Sequence, residues 1–357
     1  MKLGINGRFY AARATGVQRF AVGVATRLLP EATLFLPSNA EPPADLPSGT
    51  RVVRGRLAGH AWEQIALPVE ARRSGCDVIL HMGGTAPLTS VGDVFVIHDL
   101  LPLTHPHWFR RSFRLWRNTV FRVAAPRAGR VVTVTDWVRG QIATELGVSL
   151  SRIVVAPQGL EPFDAPATPA AVAAVRERHG LPETFLLAVG ADPRKNLPFL
   201  GQVLSRWRER GEEPPPLVVA GRPYPHLFTP SAGWPEGVDV RLLGHVDDGE
   251  LHALYTAAAV LCFPSRAEGF GRPPLEAMAC GTPAVVADYG PTAEVVKGAA
   301  RVVPLAADAW VDALQTLLAS GERADPSSAV TALYRWEFAA ERVREACAAA
   351  AAERGRR

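Results

Sequence analysis

The sequence predicts an α/β protein of two domains, each built on a parallel sheet that helices cover on both faces. Short apolar runs alternate with helix-like segments along the chain, and they do so in two successive series. A chain of 357 residues, 48% of them hydrophobic, is long enough for two domains with a core each.

The first series predicts an N-terminal domain over residues 1–160. Its strand-like runs are residues 2–6, 78–81, 94–98, 131–134 and 153–156. Prolines and acidic residues are concentrated between 160 and 169, and this composition is typical of a linker. The chain therefore changes domain near residue 160.

The second series predicts a C-terminal domain over residues 161–335. Its strand-like runs are residues 186–189, 217–220, 240–242 and 260–263. An alanine-rich segment over residues 336–357 predicts a closing helix that ends in a basic tail.

The most informative stretch is SRAEGFGRPPLEAMACGTP, residues 265–283, which lies between two strand-like runs. In parallel sheets, ligands bind at the carboxyl ends of the strands, where this loop begins. Gly269 and Gly271 allow the backbone to approach a ligand closely. Pro273 and Pro274 suit the first turn of a helix, and the free amides and dipole of that turn attract phosphate.

Two carboxylates in this stretch, Glu268 and Glu276, are separated by seven residues. Glu276 falls inside the predicted helix, and a carboxylate there can accept hydrogen bonds from the two hydroxyls of a ribose. Glu268 lies on the loop, within reach of a sugar next to the phosphates. The alternative interpretation is a pair of solvated charges at a helix start.

The same stretch resembles, almost letter for letter, the signature EGFGxPxxEAMAxGxPVV of the GT4 retaining glycosyltransferases. The resemblance extends to VGADPRKN at residues 189–196, which is similar to the phosphate-contacting loop of that family. Residues 243–255 are similar to the segment that precedes the family signature.

The resemblance implies the GT-B fold, in which two Rossmann-like β/α/β domains face each other across a cleft and a C-terminal helix crosses back to the first domain. It also implies retaining, metal-independent transfer of a hexose from a nucleotide sugar, and no DxD metal motif occurs in the chain. We expect GDP-mannose or a related deoxyhexose donor, and a glycan, lipid-linked or natural-product acceptor. We expect no cofactor.

The family's roles fall on ten positions of this chain. The resemblance assigns catalysis to His98 and Glu268, an acceptor contact to Asp99, and donor binding to Gly16, Arg194, Lys195, Gly269, Phe270, Gly271 and Glu276. Arg194 and Lys195 would neutralise the leaving diphosphate. The alternatives are a structural role for His98, a plain turn at Gly16 and a solvated helix start at residues 194 and 195.

Two segments of the first domain allow two interpretations each. WEQ at residues 62–64 resembles a segment of polysaccharide-building members and would line the acceptor side, but a tryptophan on a helix is more often packing. Arginines alternate with aromatics from Arg110 to Arg122, a composition typical of a helix on anionic lipid and also of a solvated helix face.

Composition excludes several other classes of protein. A net charge of +4 is too small to indicate nucleic-acid binding, and the four cysteines lack metal-site spacing. No GxGxxG or Walker pattern supports a dehydrogenase or an NTPase. We expect a cytoplasmic protein, peripheral at the inner membrane face if the basic helix binds lipid. A non-catalytic nucleotide-sugar-binding or scaffold protein stays as the alternative function.

Overall fold

The computed structural model describes residues 1–12, 15–44, 46–222, 234 and 237–356, and these form two compact units. The first unit contains Met1–Thr104, Arg111–Gly159 and the C-terminal segment from Tyr334 onward. The second unit contains His105–Arg110 and Leu160–Leu333.

Each unit contains one parallel sheet, as the alternating pattern predicts. The strands are β1 (Leu3–Asn6), β2 (Ala32–Leu36), β3 (Arg51–Arg54), β4 (Val78–His81), β5 (Val94–Val96), β6 (Arg130–Thr133) and β7 (Ile153–Val155) in the first unit, then β8 (Leu186–Val189), β9 (Leu217–Ala220), β10 (Val240–Gly244), β11 (Val260–Phe263), β12 (Ala284–Ala287) and β13 (Arg301–Val303) in the second. The strand orders are β3-β2-β1-β4-β5-β6-β7 and β10-β9-β8-β11-β12-β13. All strand pairs described in both sheets are parallel.

Helices connect most of the consecutive strands, as crossover connections between parallel strands usually do. They are α1 (Gly16–Leu28), α2 (Gly59–Ala61), α3 (Leu67–Arg73), α4 (Leu101–Thr104), α5 (Arg111–Arg127), α6 (Asp136–Leu146), α7 (Pro169–His179), α8 (Leu197–Glu209), α9 (Asp248–Ala257), α10 (Arg272–Ala279), α11 (Thr292–Val296), α12 (Ala307–Ser320), α13 (Ala329–Ala332) and α14 (Trp336–Gly355). Among the described residues, no helix lies between β2 and β3 or between β4 and β5. A π-helical turn, Trp62–Ala66, joins α2 to α3.

Local sequence signals set several of these helix ends. Asp247 and Glu250 form a capping box at the start of α9, where each side chain satisfies a backbone amide of the other residue. Thr168 caps α7, and Gly180 ends it in the left-handed conformation that glycine adopts without strain.

Three strands lie outside the runs that the sequence pattern predicts. β3 and β13 are edge strands with mostly exposed side chains, so their residues form no continuous apolar run. β2, with the sequence ATLFL, is almost entirely buried and lies between Pro30 and Pro37, so its signal is present in the sequence.

The closing helix α14 packs on the first unit, which confirms the expected return of the chain. A Cβ atom on Gly23 of α1 would lie 2.5 Å from the ring of Trp336, so only glycine permits this approach. Arg27 and Glu337 form an ion pair at 2.6 Å beside this contact. The buried side chains of α14 recur every three or four residues, as for a helix with one covered face.

Candidate functional site

Two loops meet at the carboxyl edge of the second sheet. One loop follows β8 and the other follows β11, and these two strands are neighbours. The amide of Arg266 donates to the carbonyl of Arg194 at 2.9 Å. The side-chain amide of Asn196 donates to the carbonyl of Pro264 at 3.3 Å. These bonds hold the VGADPRKN loop against the signature loop.

The acidic and basic residues of these loops form one buried cluster. Lys195 Nζ lies 2.7 Å from Oε1 of Glu268, and Arg194 Nη1 lies 3.3 Å from Oε2 of the same carboxylate. Arg194 Nε donates to Asp192 at 2.8 Å. The ammonium group of Lys195 also lies 4.6 Å above the ring of Phe263. The structure therefore brings together three of the positions that the resemblance assigns.

Glu268 is ionised in this cluster although it is buried. Burial alone would raise the pKa of its carboxyl group, but the positive charges of Arg194 and Lys195 outweigh burial and lower the pKa below its ordinary value. Its side chain is 6% exposed. A carboxylate fixed in this way is a preorganised negative charge rather than a general acid.

Asp192 was missing from the set of predicted site residues. Its carboxylate pairs with Arg194. The cluster therefore contains two carboxylates, Asp192 and Glu268, and two basic groups that already have partners. The sequence interpretation treats Arg194 and Lys195 as two available charges. In the structure, a diphosphate would have to take both cations from existing partners.

The start of α10 offers fewer amides than the sequence interpretation assumes. Gly271 precedes the helix with φ +85°, a left-handed conformation that favours glycine. Pro273 and Pro274 then occupy the first turn and have no N–H group. A phosphate at this helix start would therefore meet the amides of Gly271 and Arg272. Phe270 is buried as a whole residue, with 3% of its surface exposed.

Glu276 lies in a second buried cluster on α10. Tyr255 donates its hydroxyl to Oε2 of Glu276 at 2.7 Å, and Arg272 Nε donates to Oε1 at 2.7 Å. Arg272 also donates to the carbonyl of Leu160 at 3.3 Å. Each carboxylate oxygen has a further lone pair that can accept a ribose hydroxyl. Tyr255 and Arg272 are partners that sequence reasoning missed, because spacing alone does not show which side chains meet.

His98 lies just beyond β5 in the first unit, and it is 4% exposed. Its Nε2 lies 3.3 Å from the carbonyl oxygen of Met82, and within the described residues its Nδ1 has no hydrogen-bond partner. Burial lowers the pKa of His98 to about 4, so the ring is neutral near pH 7. If Nε2 carries the proton, Nδ1 is an open acceptor for a hydroxyl.

Asp99 and Gly16 have simpler surroundings. Asp99 accepts a hydrogen bond from the amide of Leu101 at 3.1 Å and so supports the start of α4. Gly16 opens α1, and a Cβ atom there would meet nothing within 4 Å. Residues 13 and 14, which precede this helix in the chain, lie outside the described residues.

The WEQ segment contains a buried tryptophan and a buried acid. Trp62 is fully buried and donates its indole N–H to Glu70 at 3.2 Å, as the packing interpretation predicts. Glu63 is also fully buried, and it lies beside Arg8 and Thr85 at the carboxyl edge of the first sheet. Sequence reasoning did not identify this cluster, because its members are far apart in the chain.

The basic helix α5 has two different faces. Arg117 points inward, where it donates to the carbonyl of Gly84 and lies 4.7 Å from the ring of Phe121. Arg111 and Arg122 are exposed. No helix in the described part of the chain is long and apolar enough to cross a bilayer.

Two family models match the chain. One, described as Glycosyl transferases group 1, matches residues 174–329, and the other, described as Glycosyltransferase Family 4, matches residues 14–162. Each match falls almost entirely within one of the two predicted domains. Together the matches cover most of the chain.

The chain is similar to curated proteins that transfer sugars. It is 29% identical over 223 residues to the O-antigen chain mannosyltransferase B of Escherichia coli. The matched segment covers 58% of this chain and 56% of that protein. It is 28% identical over 265 residues to the 2-deoxystreptamine glucosyltransferase of Streptomyces kanamyceticus. This match covers 70% of the present chain and 60% of that protein. The chain thus spans less than two thirds of the length of these relatives.

Solved structures are similar over nearly the whole chain. The structure of HepE (Alr3699) from Anabaena, in complex with UDP and glucose, matches with a TM-score of 0.70 and covers 97% of this chain and 98% of that chain. The two sequences are 17% identical, so the likeness concerns the fold.

Proposed function

We propose that this chain, which belongs to glycosyltransferase family 4 (the glycosyl transferases group 1), is a retaining, metal-independent hexosyltransferase. Its GT-B fold, which the signature predicts, is confirmed by the likeness to HepE and by the packing of α14 on the first unit. In this proposal the second unit binds a nucleotide sugar, and the sugar passes to a glycan, lipid-linked or natural-product acceptor.

The cluster of Glu268, Lys195 and Arg194 carries this proposal. A nucleotide sugar combines a neutral ring with a diphosphate, and the diphosphate gains negative charge as the glycosidic bond breaks. Two cations at a strand end stabilise that developing charge best when they are fixed beforehand. Here the carboxylate of Glu268 fixes them, at 2.7 Å and 3.3 Å.

Donor binding would rearrange the charges of this cluster. As the diphosphate takes over Lys195 and Arg194, the carboxylate of Glu268 exchanges cationic partners for hydroxyls of the transferred sugar. In this proposal the carboxylate would also face the positive charge that develops on an oxocarbenium-like sugar, and an ionised group there would lower the barrier electrostatically. The amides of Gly271 and Arg272 would bind the phosphates, and Glu276 the ribose.

By resemblance to the family, the neutral His98 would contact the transferred sugar. With Nε2 donating to the carbonyl of Met82, Nδ1 of His98 would accept a hydrogen bond from a hydroxyl of the transferred sugar. Asp99 would lie next to it on the acceptor side. By resemblance to the family, a phosphate oxygen of the donor takes the acceptor proton, so the enzyme itself needs no nucleophile.

The donor we propose is GDP-mannose or a related deoxyhexose nucleotide. Several relatives support a hexose donor, since they include O-antigen mannosyltransferases and a 2-deoxystreptamine glucosyltransferase. The complex of HepE with UDP and glucose supports a nucleotide-sugar site in this fold. A uridine donor is therefore the main competitor to a guanosine donor.

One experiment tests the function directly. The protein is screened by thermal shift against uridine, guanosine, adenosine and deoxythymidine diphosphates and their sugars, and the best donor is then incubated with candidate acceptors. We expect one base to raise the melting temperature and mass spectrometry to detect an acceptor that has gained a hexose. A shift without any nucleotide release would instead support a non-catalytic binding protein.

The exposed face of α5 supports a peripheral contact with anionic membranes. Arg111, Leu115 and Arg122 are all exposed on this helix. We expect flotation with anionic liposomes at low salt, and reduced flotation after Arg111 and Arg122 are both replaced by Glu. Absence of the wild-type protein from the liposome fraction would remove this contact from the proposal.

A further inference from the structure

We propose that Arg8, just after β1, binds a ring hydroxyl of a neutral sugar acceptor, and that Glu63 is the positioning residue that fixes it there. This inference deepens the proposed function and rests on it. It concerns the first unit alone, in a polar cluster defined by Asn6, Arg8, Glu63 and Thr85.

Glu63 is the centre of this polar cluster. Its carboxylate accepts hydrogen bonds from Arg8 Nε at 3.1 Å, from the side-chain amide of Asn6 at 2.9 Å and from the hydroxyl of Thr85 at 2.8 Å. The ring nitrogen Nδ1 of His60 lies 3.5 Å from Oε2 of Glu63. None of the residue is exposed. The partners of Glu63 therefore come from three places in the chain: Asn6 and Arg8 from the end of β1, Thr85 from the loop after β4, and His60 from the preceding helical turn.

The backbone at Glu63 departs from a regular helix. Residues Trp62–Ala66 form a π-helical turn, and both Trp62 and Glu63 are completely buried. π-turns are rare and are frequent at functional sites. Here the turn supplies an apolar side chain to the core and, at the next position, an acid to the carboxyl edge of the sheet.

Further contacts also fix Asn6 and the loop that contains Thr85. The side-chain amide of Asn6 lies 3.2 Å from Nδ1 of His81 at the end of β4. Arg117 donates to the carbonyl of Gly84, the residue before Thr85. Because the strand ends and their loops are fixed from both sides, the guanidinium of Arg8 has one defined position.

Stability alone gives little reason for this arrangement. A buried ion pair is often no more stabilising than apolar residues of the same volume. Burial would raise the pKa of Glu63, but His60, Arg8, Asn6 and Thr85 outweigh burial and lower the pKa to about 2. The acid therefore stays charged in the folded protein at neutral pH and keeps its hold on Arg8.

The arrangement leaves Arg8 with capacity to bind a ligand. Its Nε and Nη2 bond Glu63 and Thr85, and within the described part of the chain Nη1 has no hydrogen-bond partner. The side chain is 21% exposed. Since Glu63 cancels the charge of Arg8, the open N–H groups suit a neutral hydroxyl better than a phosphate. Carboxyl ends of parallel strands are also where ligands bind in such sheets.

The test measures glycoside binding by saturation-transfer NMR. The probes are methyl α-D-mannopyranoside, methyl α-D-glucopyranoside and methyl α-D-galactopyranoside, each with the full chain and the best nucleoside diphosphate. We expect the wild type to bind at least one probe, and Glu63→Gln and Arg8→Gln to weaken it about tenfold or more. Glu41→Gln, an exposed acid paired with Arg54 in the same unit, is the matched control.

The double variant Arg8→Gln with Glu63→Gln separates ligand binding from folding. Each single variant leaves one buried charge without its partner, whereas the double variant removes both charges. We expect it to melt close to the wild type and still fail to bind the glycoside. A double variant that binds as the wild type does would show a structural cluster and overturn the proposal.

Two further outcomes count against the inference. Wild-type protein that binds the nucleotide but none of the three glycosides would overturn it and leave the proposed function intact. Preference for glucose 1-phosphate over the methyl glucoside would overturn the assignment to a neutral acceptor. If no nucleotide binds, the proposed function itself fails.

Discussion

Each unit buries an ionised glutamate near the carboxyl edge of its sheet, and the two glutamates have different partners. Glu268 in the second unit faces two cations, Lys195 and Arg194. Glu63 in the first unit faces one arginine, Arg8, together with His60 and the neutral donors of Asn6 and Thr85. Both clusters are neutral overall, because Asp192 balances the second cation of the second unit. The second unit nevertheless has two cations that a diphosphate could take over, whereas the first unit has one arginine, whose remaining N–H groups suit hydroxyls. The comparison therefore predicts donor chemistry in one unit and acceptor chemistry in the other.

The largest effect should follow Glu268→Gln. The variant keeps the shape of the side chain but removes the charge that fixes Lys195 and Arg194. In the proposed function, that charge would also face the developing sugar cation. We expect kcat to fall about 10²- to 10³-fold, the range found when one preorganised electrostatic group is removed. Initial rates of nucleotide release measure this.

The control for that variant is Glu209→Gln, an exposed acid that pairs with Arg206 in the same unit. It should leave kcat unchanged. Turnover near the wild-type value in Glu268→Gln would remove this carboxylate from the site and end the parallel between the two glutamates.

Glu276→Ala should have a smaller effect, mainly on donor binding. We expect the donor KM to rise about tenfold with little change in kcat, because a ribose contact acts equally in the ground and transition states. The melting temperature should also fall, because the buried hydroxyl of Tyr255 and the guanidinium of Arg272 lose an acceptor. A comparison with Glu276→Gln, which keeps an acceptor oxygen, separates these two effects.

An unchanged donor affinity in a folded Glu276→Ala protein would assign Glu276 to structure alone. The donor contacts of the second unit would then be confined to the Glu268 cluster and the start of α10.

The comparison also predicts that the contribution of Glu63 to the free energy of unfolding depends on pH. Its pKa lies below the ordinary value of 4.5, at about 2, so its contribution to stability is complete above pH 4.5 and is lost as the pH falls toward 2. Between pH 6 and pH 4 we expect the stability advantage over Glu63→Gln to shrink by about 1 kcal/mol. Denaturant unfolding monitored in both proteins measures this. A constant difference over that range would contradict the ionised, buried acid.

The smallest expected effect is that of EDTA. If Lys195 and Arg194 carry the charge of the leaving diphosphate, chelation of divalent cations should leave the rate unchanged. The measurement compares nucleotide release after dialysis against EDTA with release after Mg²⁺ or Mn²⁺ is restored. An absolute requirement for either metal would show that these two cations are insufficient.

Sequence reasoning predicted the second unit more fully than the first, for a physical reason. Glu268, Gly271 and Glu276 lie in one continuous stretch, so their spacing on a loop and helix start could be predicted directly. Lys195 was recognisable because it follows a strand that the apolar pattern predicts. What the spacing did not show was the partner of each charge, such as Asp192.

The polar cluster of the first unit could not be predicted in the same way. Asn6 and Thr85 meet Glu63 across separations of 57 and 22 residues, which depend on the strand order β2-β1-β4-β5. The inward position of Glu63 also depends on a π-turn, and a regular helical period does not predict such a turn. Tertiary contacts decide both features.

One crossed binding measurement tests the division between the two units most directly. Affinities for the best nucleoside diphosphate and for the best methyl glycoside are measured on Glu268→Gln and on Glu63→Gln. We expect Glu63→Gln to lose glycoside binding and keep nucleotide binding. We expect Glu268→Gln to change nucleotide binding and keep glycoside binding. Loss of both ligands in either folded variant, or the reverse pairing, would contradict the account.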